Sequence, residues 1–547
     1  MSLPGQIATT VKTKSQTLAT LTKAGIIRPA RPDRLLQTGI ALFRWGPTPA
    51  AGYTVSAARY PDEVGIVDEA GTLTFLEVHR RTNAFAHALQ DAGIGPGDGV
   101  AIMCRNHRGF IEAVVACSKL GAHALFLNTA FSKPQLTDVL EREAPKALVY
   151  DQEFDGLLDG ADVDLERFIS WHEPDEESGL TRIEDLVTSG NIQNLDPPKQ
   201  PGKATILTSG TTGTPKGANR SQPKSMDPIA ALLDRIPLKA RETTMIAAPL
   251  FHSWGFAHWS LGISLSSTIV LKRKFDPEAT LSLTAQHQAT ALVVVPVMLQ
   301  RILELDDETL DRYDLSAVRA VPASGSALPG SQSDRWMDHF GENLYNLYGS
   351  TEVAWATIAT PQDLREAPGT AGKPPRGTVV KLFDDDGKPV AQGDTGRIFV
   401  GNEMQFEGYT GGGGKDVIEG LMSSGDVGHF DDAGRLFVDG RDDDMIVSGG
   451  ENVFPQEVED LLSGHEKVAE AAVFGVDDEQ FGQRLKAVVV TKDGASLSED
   501  EIKKYVKSNL AGYKVPRDVE FIDELPRNAT GKVLKRELRE EKADSES

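Results

Sequence analysis

A chain of 547 residues is too long for a single hydrophobic core and predicts roughly three or four folded units. Its 40% apolar content is that of a globular protein, and no apolar run reaches the ~18–20 residues that cross a bilayer. A net charge of −23 argues against general nucleic-acid binding, and Cys104 and Cys117, without metal-ligand spacing around them, fit a cytoplasmic chain with no disulfide framework.

Residues 1–50 depart from the acidic balance. Lys12, Lys14, Lys23, Arg28 and Arg31 all precede the first acidic residue, Asp33. Three readings compete for this basic extension: a poorly ordered tail, a peripheral contact with an anionic membrane surface, and an organelle transit peptide. From Tyr53 to about Leu186 helices and strands alternate. Leu73-Thr74-Phe75 leads into a helix through Leu89, with Gly93 as its stop signal. Val100–Met103 reads as a strand, Phe110–Leu120 as a helix and Ala124–Leu127 as a strand, a βαβ pattern that predicts a parallel sheet covered by helices. Thr188 to Gly202 reads as a linker.

The next segment is the most informative. The apolar run Ala204–Leu207 ends in Thr208-Ser209-Gly210-Thr211-Thr212-Gly213-Thr214-Pro215-Lys216-Gly217. Glycines let backbone N–H groups turn towards a ligand, hydroxyls add donors and the lysine adds a compact positive charge, which together suit a polyphosphate. No Gly-Lys-Ser/Thr step opens a helix, so the loop is not a Walker A motif. The alternation resumes through strands near Met245–Ala248, Thr268–Leu271, Ala291–Val295 and Val318–Val321. Asn346-Leu347-Tyr348-Gly349-Ser350-Thr351-Glu352 offers an aromatic face for a purine, a hydroxyl for a phosphate and a carboxylate for Mg²⁺. An ordinary turn before a helix would look the same. After Gly377 short β runs and tight turns predict a β subdomain, with Gly411–Gly414 a loop tip. Ser423-Ser424-Gly425-Asp426 places a carboxylate after a glycine turn, where a ribose diol would find an acceptor. Arg441 stands against Asp442-Asp443-Asp444 and a double glycine, a hinge with a ligand contact. Pro526 to Lys532 is a turn presenting a lysine.

In this order the segments resemble the ATP-dependent adenylate-forming superfamily of acyl-CoA synthetases, luciferases and peptide-synthetase adenylation domains. The resemblance runs from about Thr54 to Arg539 and is greatest to bacterial, particularly actinobacterial, fatty-acyl-CoA synthetases. It implies an α/β fold with a large N-terminal domain, 51–440, of two αβ layered subdomains plus a β subdomain, and a small mobile α+β C-terminal domain, 441–547, hinged near Asp443. It implies that the 208–216 loop closes on the β- and γ-phosphates, and that Ser324-Gly325-Ser326-Ala327 and Tyr345 to Tyr348, Asn346 included, wall the adenine slot. Thr351 and Glu352 become the α-phosphate and Mg²⁺ contacts, with Thr211 as a second metal contact. Asp426 and Arg441 become the ribose contacts and Lys532 the adenylation lysine. Gly449-Gly450-Glu451 would line a pantetheine tunnel. Phe251, His252 and Gly255 resemble the mouth of the acid pocket, with His252 a gate or a hydrogen-bonded core histidine. Trp254, Phe256, Trp259 and Met298 would supply apolar walls, or belong to the plain core as such residues more often do. Two segments depart from the family pattern: Ala218-Asn219-Arg220-Ser221, and the glycine run after Gly408-Tyr409.

The implied reaction joins a carboxylic acid to AMP and passes the acyl group to a thiol, with ATP, Mg²⁺ and coenzyme A as cofactor and co-substrates. A medium- or long-chain fatty acid is the expected substrate, because no arginine in these segments stands out as a partner for a second carboxylate. An aryl or short-chain acid, a carrier protein or oxygen as acceptor, and a ligand-binding relative without catalysis are the alternatives. Oligomeric state, a homodimer included, is left open.

Overall fold

The computed structural model describes residues 3–29, 31–158, 165–173, 179–208, 216–219, 225–406, 408–409, 414–442, 446–448, 451–478, 482–528 and 531–540. The chain divides into two compact units. One comprises Met1–Val294, Arg301–Pro322 and Glu403–Gly414, the other Val295–Gln300, Ala323–Asn402 and Lys415–Ser547.

Two sheets organise the first unit. The larger has Gly99–Met103 at its centre, paired in parallel with His123–Phe126 and Ala147–Asp151. Val100, Ala101 and Ile102 are completely buried, as parallel strands covered on both faces must be. The helix before them, Phe75–Asp91, starts at a capping box in which Thr74 and Glu77 exchange hydrogen bonds, and Gly93 follows its end at φ +83°. Nearly every residue of the helix Arg108–Leu120 is buried, including Glu112 and Lys119. Arg81 Nε lies 2.5 Å from Glu112, and Lys119 Nζ donates to Thr82 Oγ1 at 2.7 Å and Asn83 Oδ1 at 2.6 Å. The second sheet orders Ala291–Val293, Thr243–Ile246, Thr268–Leu271, Val64–Asp68 and Gly71–Thr74, parallel except for the last pair.

The predicted linker is docked rather than free. Asn83 donates to Ile192 O at 3.0 Å, and His87 Nε2 lies 3.1 Å from Gln193 O. The extension also departs from the tail reading, because Leu3–Lys23 and Pro32–Trp45 are helices. Thr17, Thr20, Leu21 and Ala24 recur at helical spacing on a buried face, and Thr17 donates its hydroxyl to the Asp227 carboxylate. Threonines in that stripe hide its amphipathic period from a hydrophobicity reading.

In the second unit the β subdomain is a sheet of Val379–Phe383, Gly396–Gly401, Leu421–Phe430 and Val417–Ile418, extended by Leu436–Arg441 on Leu421–Phe430. The C-terminal α+β region pairs Val468–Asp478 with Gly482–Thr491 and covers them with the helices Pro455–Ser463 and Glu499–Asn509 around Val458, Leu462, Val473, Val489, Ile502 and Val506. No helix among the described residues is long and apolar enough to cross a membrane.

Candidate active site

Strand pairing assembles the principal polar cluster of the second unit. Leu421–Phe430 and Leu436–Arg441 run antiparallel with Asp426 and Arg441 as register partners, so the two side chains meet across the pair. Arg441 Nε lies 3.6 Å from Asp426 Oδ1. Sequence reasoning expected Asp426 to follow a free turn; instead Gly425, at φ +84°, is a local irregularity inside the ten-residue strand. The hydroxyls of Ser423 and Ser424 accept from the backbone N–H groups of Gly425 and Asp426 at 3.1 and 3.2 Å. That geometry fixes where the carboxylate points.

Tyr348 arrives from a different sheet. It ends the strand Leu344–Tyr348 and donates its hydroxyl to Asp426 Oδ2 at 2.5 Å, 3.0 Å from Ser424 Oγ. Burial, and then the Asp426 carboxylate, hold the phenol well above its ordinary pKa, so it remains a donor. Burial raises Asp426 in turn; Tyr348, Arg441, Lys532 and Lys415 pull the other way. Lys532 therefore lies within electrostatic reach of Asp426 although 106 positions separate them in the chain. Its turn is closed by Asn528, whose Oδ1 accepts the Lys532 N–H at 2.9 Å and whose carbonyl accepts the Gly531 N–H at 2.8 Å. Gly531, at φ +79°, packs so closely that a Cβ there would lie 2.2 Å from Val297 Cγ1.

The turn after Tyr348 is rigid. A Cβ on Gly349 would stand 2.0 Å from Ala354 O, and Ala354 adopts φ +63°. Ser350 Oγ accepts the backbone N–H groups of Glu352 and Val353 at 3.2 and 3.3 Å, and Asn402 donates to Val353 O and Trp355 O at 2.8 and 2.9 Å. Thr351 and Glu352 are presented from this turn, half-buried. The Glu352 carboxylate is an oxygen donor of the kind Mg²⁺ takes, so its chemistry fits that ion. Ser324 to Ala327 form the loop after the strand Val321–Ala323, with Ser324 buried and Gly325 at φ +105°. Asn346 is also buried, but its amide donates to Thr370 O at 3.3 Å and braces the strand.

In the first unit, Thr208 and Lys216 are register partners at the base of an antiparallel hairpin formed by Ala204–Thr208 and Lys216–Asn219. A strand, not a helix, follows the loop, which is the physical difference from Walker A. Ser209, Gly210, Thr211, Thr212, Gly213 and Thr214 lie outside the described residues, as do Asp443, Gly449 and Gly450. Glu451 begins the strand Glu451–Val453, antiparallel to Ile446–Ser448.

His252 caps the helix Ser253–Ser264, where Gly255 permits a close approach: a Cβ there would be 2.3 Å from Pro249 O. The His252 imidazole does not match the hydrogen-bonded core reading, because its buried Nε2 has no partner. His258 Nε2 is likewise buried and unpartnered, while its Nδ1 lies 3.3 Å from Trp254 O. Burial lowers both histidines to about 4. Trp254 Nε1 donates to Val294 O at 2.9 Å. Trp259, expected as a pocket wall, is fully buried with its Nε1 3.3 Å from Tyr53 Oη, and is core. Met298 is buried.

Sequence reading named Ser424 in its motif without giving it a role, and missed Asn402, Lys415 and His258. An asparagine just past the strand Gly396–Gly401 carries no distinctive spacing. It also missed the buried group Cys104, His107 and Asp151. His107 Nε2 lies 2.7 Å from Asp151, and its Nδ1 accepts the Gly109 N–H at 3.0 Å, so both ring nitrogens are already used in a helix cap.

Comparison with known proteins agrees with this geometry. The model of the AMP-binding enzyme family matches residues 53–410, and that of the AMP-binding enzyme C-terminal domain matches 457–532. A feruloyl-CoA synthase of Amycolatopsis sp is 33% identical over 500 residues, covering 89% of this chain and 98% of the relative. An indoleacetate–CoA ligase of Aromatoleum aromaticum is 32% identical over 498 residues, covering 89% and 94%. The o-succinylbenzoate CoA synthetase of Bacillus subtilis, solved with its acyl-adenylate intermediate, superposes at a TM-score of 0.78 with 27% identity, covering 89% and 98%. Two family models in the expected order and relatives matched almost end to end leave one assignment: the chain belongs to the AMP-binding enzyme family, the superfamily of acyl-CoA synthetases.

Proposed function

We propose that the chain is an AMP-forming acid–thiol ligase that converts an apolar monocarboxylic acid to its CoA thioester. The observation that carries this reading is the convergence of Tyr348, Arg441 and Lys532, from three separate segments, on the Asp426 carboxylate. ATP, Mg²⁺ and CoA are its cofactor and co-substrates. An oxygen of the acid's carboxylate attacks the α-phosphorus of ATP, the bond to pyrophosphate breaks, and the acyl-adenylate remains. The CoA thiol then attacks the acyl carbon and displaces AMP.

The first step concentrates negative charge on phosphoryl oxygens, so fixed donors and cations accelerate it and no general base is needed. Tyr348 offers its ring to adenine and, through its hydroxyl, orients Asp426 towards the ribose diol, with Arg441 alongside. Lys532 bridges the incoming carboxylate and the α-phosphate, and Thr351 donates to that phosphate. Glu352 would hold Mg²⁺, which would supply positive charge against the developing negative charge. The 208–216 loop covers the β- and γ-phosphates. Residues 51–440 form the adenylation domain and 441–547 a mobile domain, turning near Asp443 so that Gly449-Gly450-Glu451 replaces Lys532 for the thiol step.

A medium- or long-chain fatty acid is the leading substrate, supported by the aromatic and apolar setting of the helix that starts after His252. An aryl acid is the second reading, favoured by the aromatic substrates in the relatives' names and by the unpartnered Nε2 atoms of His252 and His258, which could bond a ring substituent. A panel from acetate to long-chain fatty acids, with ferulate and indoleacetate included, scored by ATP- and CoA-dependent thioester formation, tests this. Preference for fatty acids supports the leading reading, preference for the aryl acids moves the assignment to the second, and no thioester with any acid refutes both.

A further inference from the structure

The helix Pro32–Trp45 is turned inside out. Arg34, Thr38, Ala41 and Trp45, at helical spacing, form its covered side, and Arg34 donates to the Arg59 carbonyl. The opposite side carries Leu36, Ile40 and Phe43, and Leu35 and Leu42 flank it; all five are exposed, with Leu36 at 66% and Phe43 at 92% of full exposure. A surface helix ordinarily buries its apolar stripe, so five large apolar side chains exposed on one short helix mark a binding surface.

Charge selects the occupant. Residues 1–45 hold seven basic side chains and one acidic one in a chain whose net charge is −23. Lys14, Lys23, Arg31 and Arg44 are exposed on this segment. Apolar side chains sink into the acyl boundary of a bilayer while flanking Lys and Arg meet anionic headgroups. The acidic remainder of the chain is repelled by such a surface, so attraction is confined to this segment. A second copy would bring a helix of the same sign against the first, which opposes that pairing.

We propose that the outer face of Pro32–Trp45 docks on an anionic lipid surface, lying in the interface without crossing it. The inference goes beyond the ligase reading and is independent of it, because its readout is vesicle binding and not turnover. The full-length protein is sedimented with vesicles of phosphatidylcholine alone and of phosphatidylcholine mixed with phosphatidylglycerol, at low and high salt. Binding is expected to the mixed vesicles, weakening with salt. The Leu36→Ser/Phe43→Ser variant should bind at least about tenfold more weakly, and Lys23→Glu/Arg31→Glu should lose the salt-sensitive part, both with unchanged thermal unfolding. No binding to either vesicle, or undiminished binding by Leu36→Ser/Phe43→Ser, overturns the proposal. A wild-type dimer that this variant splits into monomers, with no vesicle binding, assigns the face to a second copy instead.

Discussion

The turn around Tyr348 and the helix that starts after His252 solve opposite problems. Around Tyr348 the polar groups that face Asp426 are paired: the phenol meets Asp426, Asp426 meets Arg441, and Ser350 and Asn402 hold the backbone. From His252 to Ser264 two imidazole nitrogens are buried without a partner among aromatic rings. On the proposed function the contrast has a reason: a nucleotide presents the same charges in every turnover, which suits paired, preorganised groups, whereas an acyl group presents shape, which suits loosely bonded, uncharged rings.

Four changes sharpen that contrast. The largest effect falls on Lys532→Ala, which should slow acyl-adenylate formation at least about 10²-fold. Conversion of a supplied acyl-adenylate to thioester should stay nearly unchanged; equal loss of both steps, measured in single turnovers, would refute the division of labour. Asp426→Asn comes next and should raise the KM for ATP about 10- to 100-fold, the worth of one or two hydrogen bonds to a charged group. Because burial raises the Asp426 carboxyl, its ionisation disfavours the folded apo-protein once pH rises through the raised value. The Asn variant should therefore melt no lower than wild type at neutral pH; a clear drop in Tm would contradict this.

Gly349→Ala is expected to lower stability by about 1–3 kcal/mol, since its methyl must displace the Ala354 carbonyl. Denaturant titration reads the loss, and an unchanged midpoint would mean the turn gives way easily. His258 has the smallest effect at neutral pH. Its folded value, lowered to about 4, lies below the ordinary value of 6.5, so the unfolded chain binds the proton more readily. The stability this supports is intact above 6.5 and is lost as pH falls towards 4, by roughly 3 kcal/mol. His258→Phe should flatten the stability–pH curve in that window, and an equally steep curve would place the acid sensitivity elsewhere.

Legibility followed the same division. Elements with clean periods were readable: the helix entered through Leu73-Thr74-Phe75, the buried run from Val100 to Met103, and the β texture after Gly377. The residues proposed for the nucleotide stood out as motifs, because glycines, hydroxyls and charges cluster locally. Their convergence was not, since Asp426 meets Arg441 through strand register and Tyr348 through contact between sheets. The helices of the extension were not legible because Thr17 and Thr20 stand where a hydrophobic stripe would show leucines, while Leu36 and Phe43 advertise a core they do not join. Asn402 and His258 act through burial and direction, which no single-residue pattern encodes.

The claim beneath all of this is that Tyr348, Asp426, Arg441 and Lys532 hold ATP for attack by an organic acid. Exchange of labelled pyrophosphate into ATP, with Mg²⁺ and a broad set of acids but no CoA, tests it most directly. The account predicts acid-dependent exchange in wild type and its near-abolition in Lys532→Ala. Folded wild-type protein that exchanges no label with any acid, or a Lys532→Ala variant that exchanges as well as wild type, would contradict it.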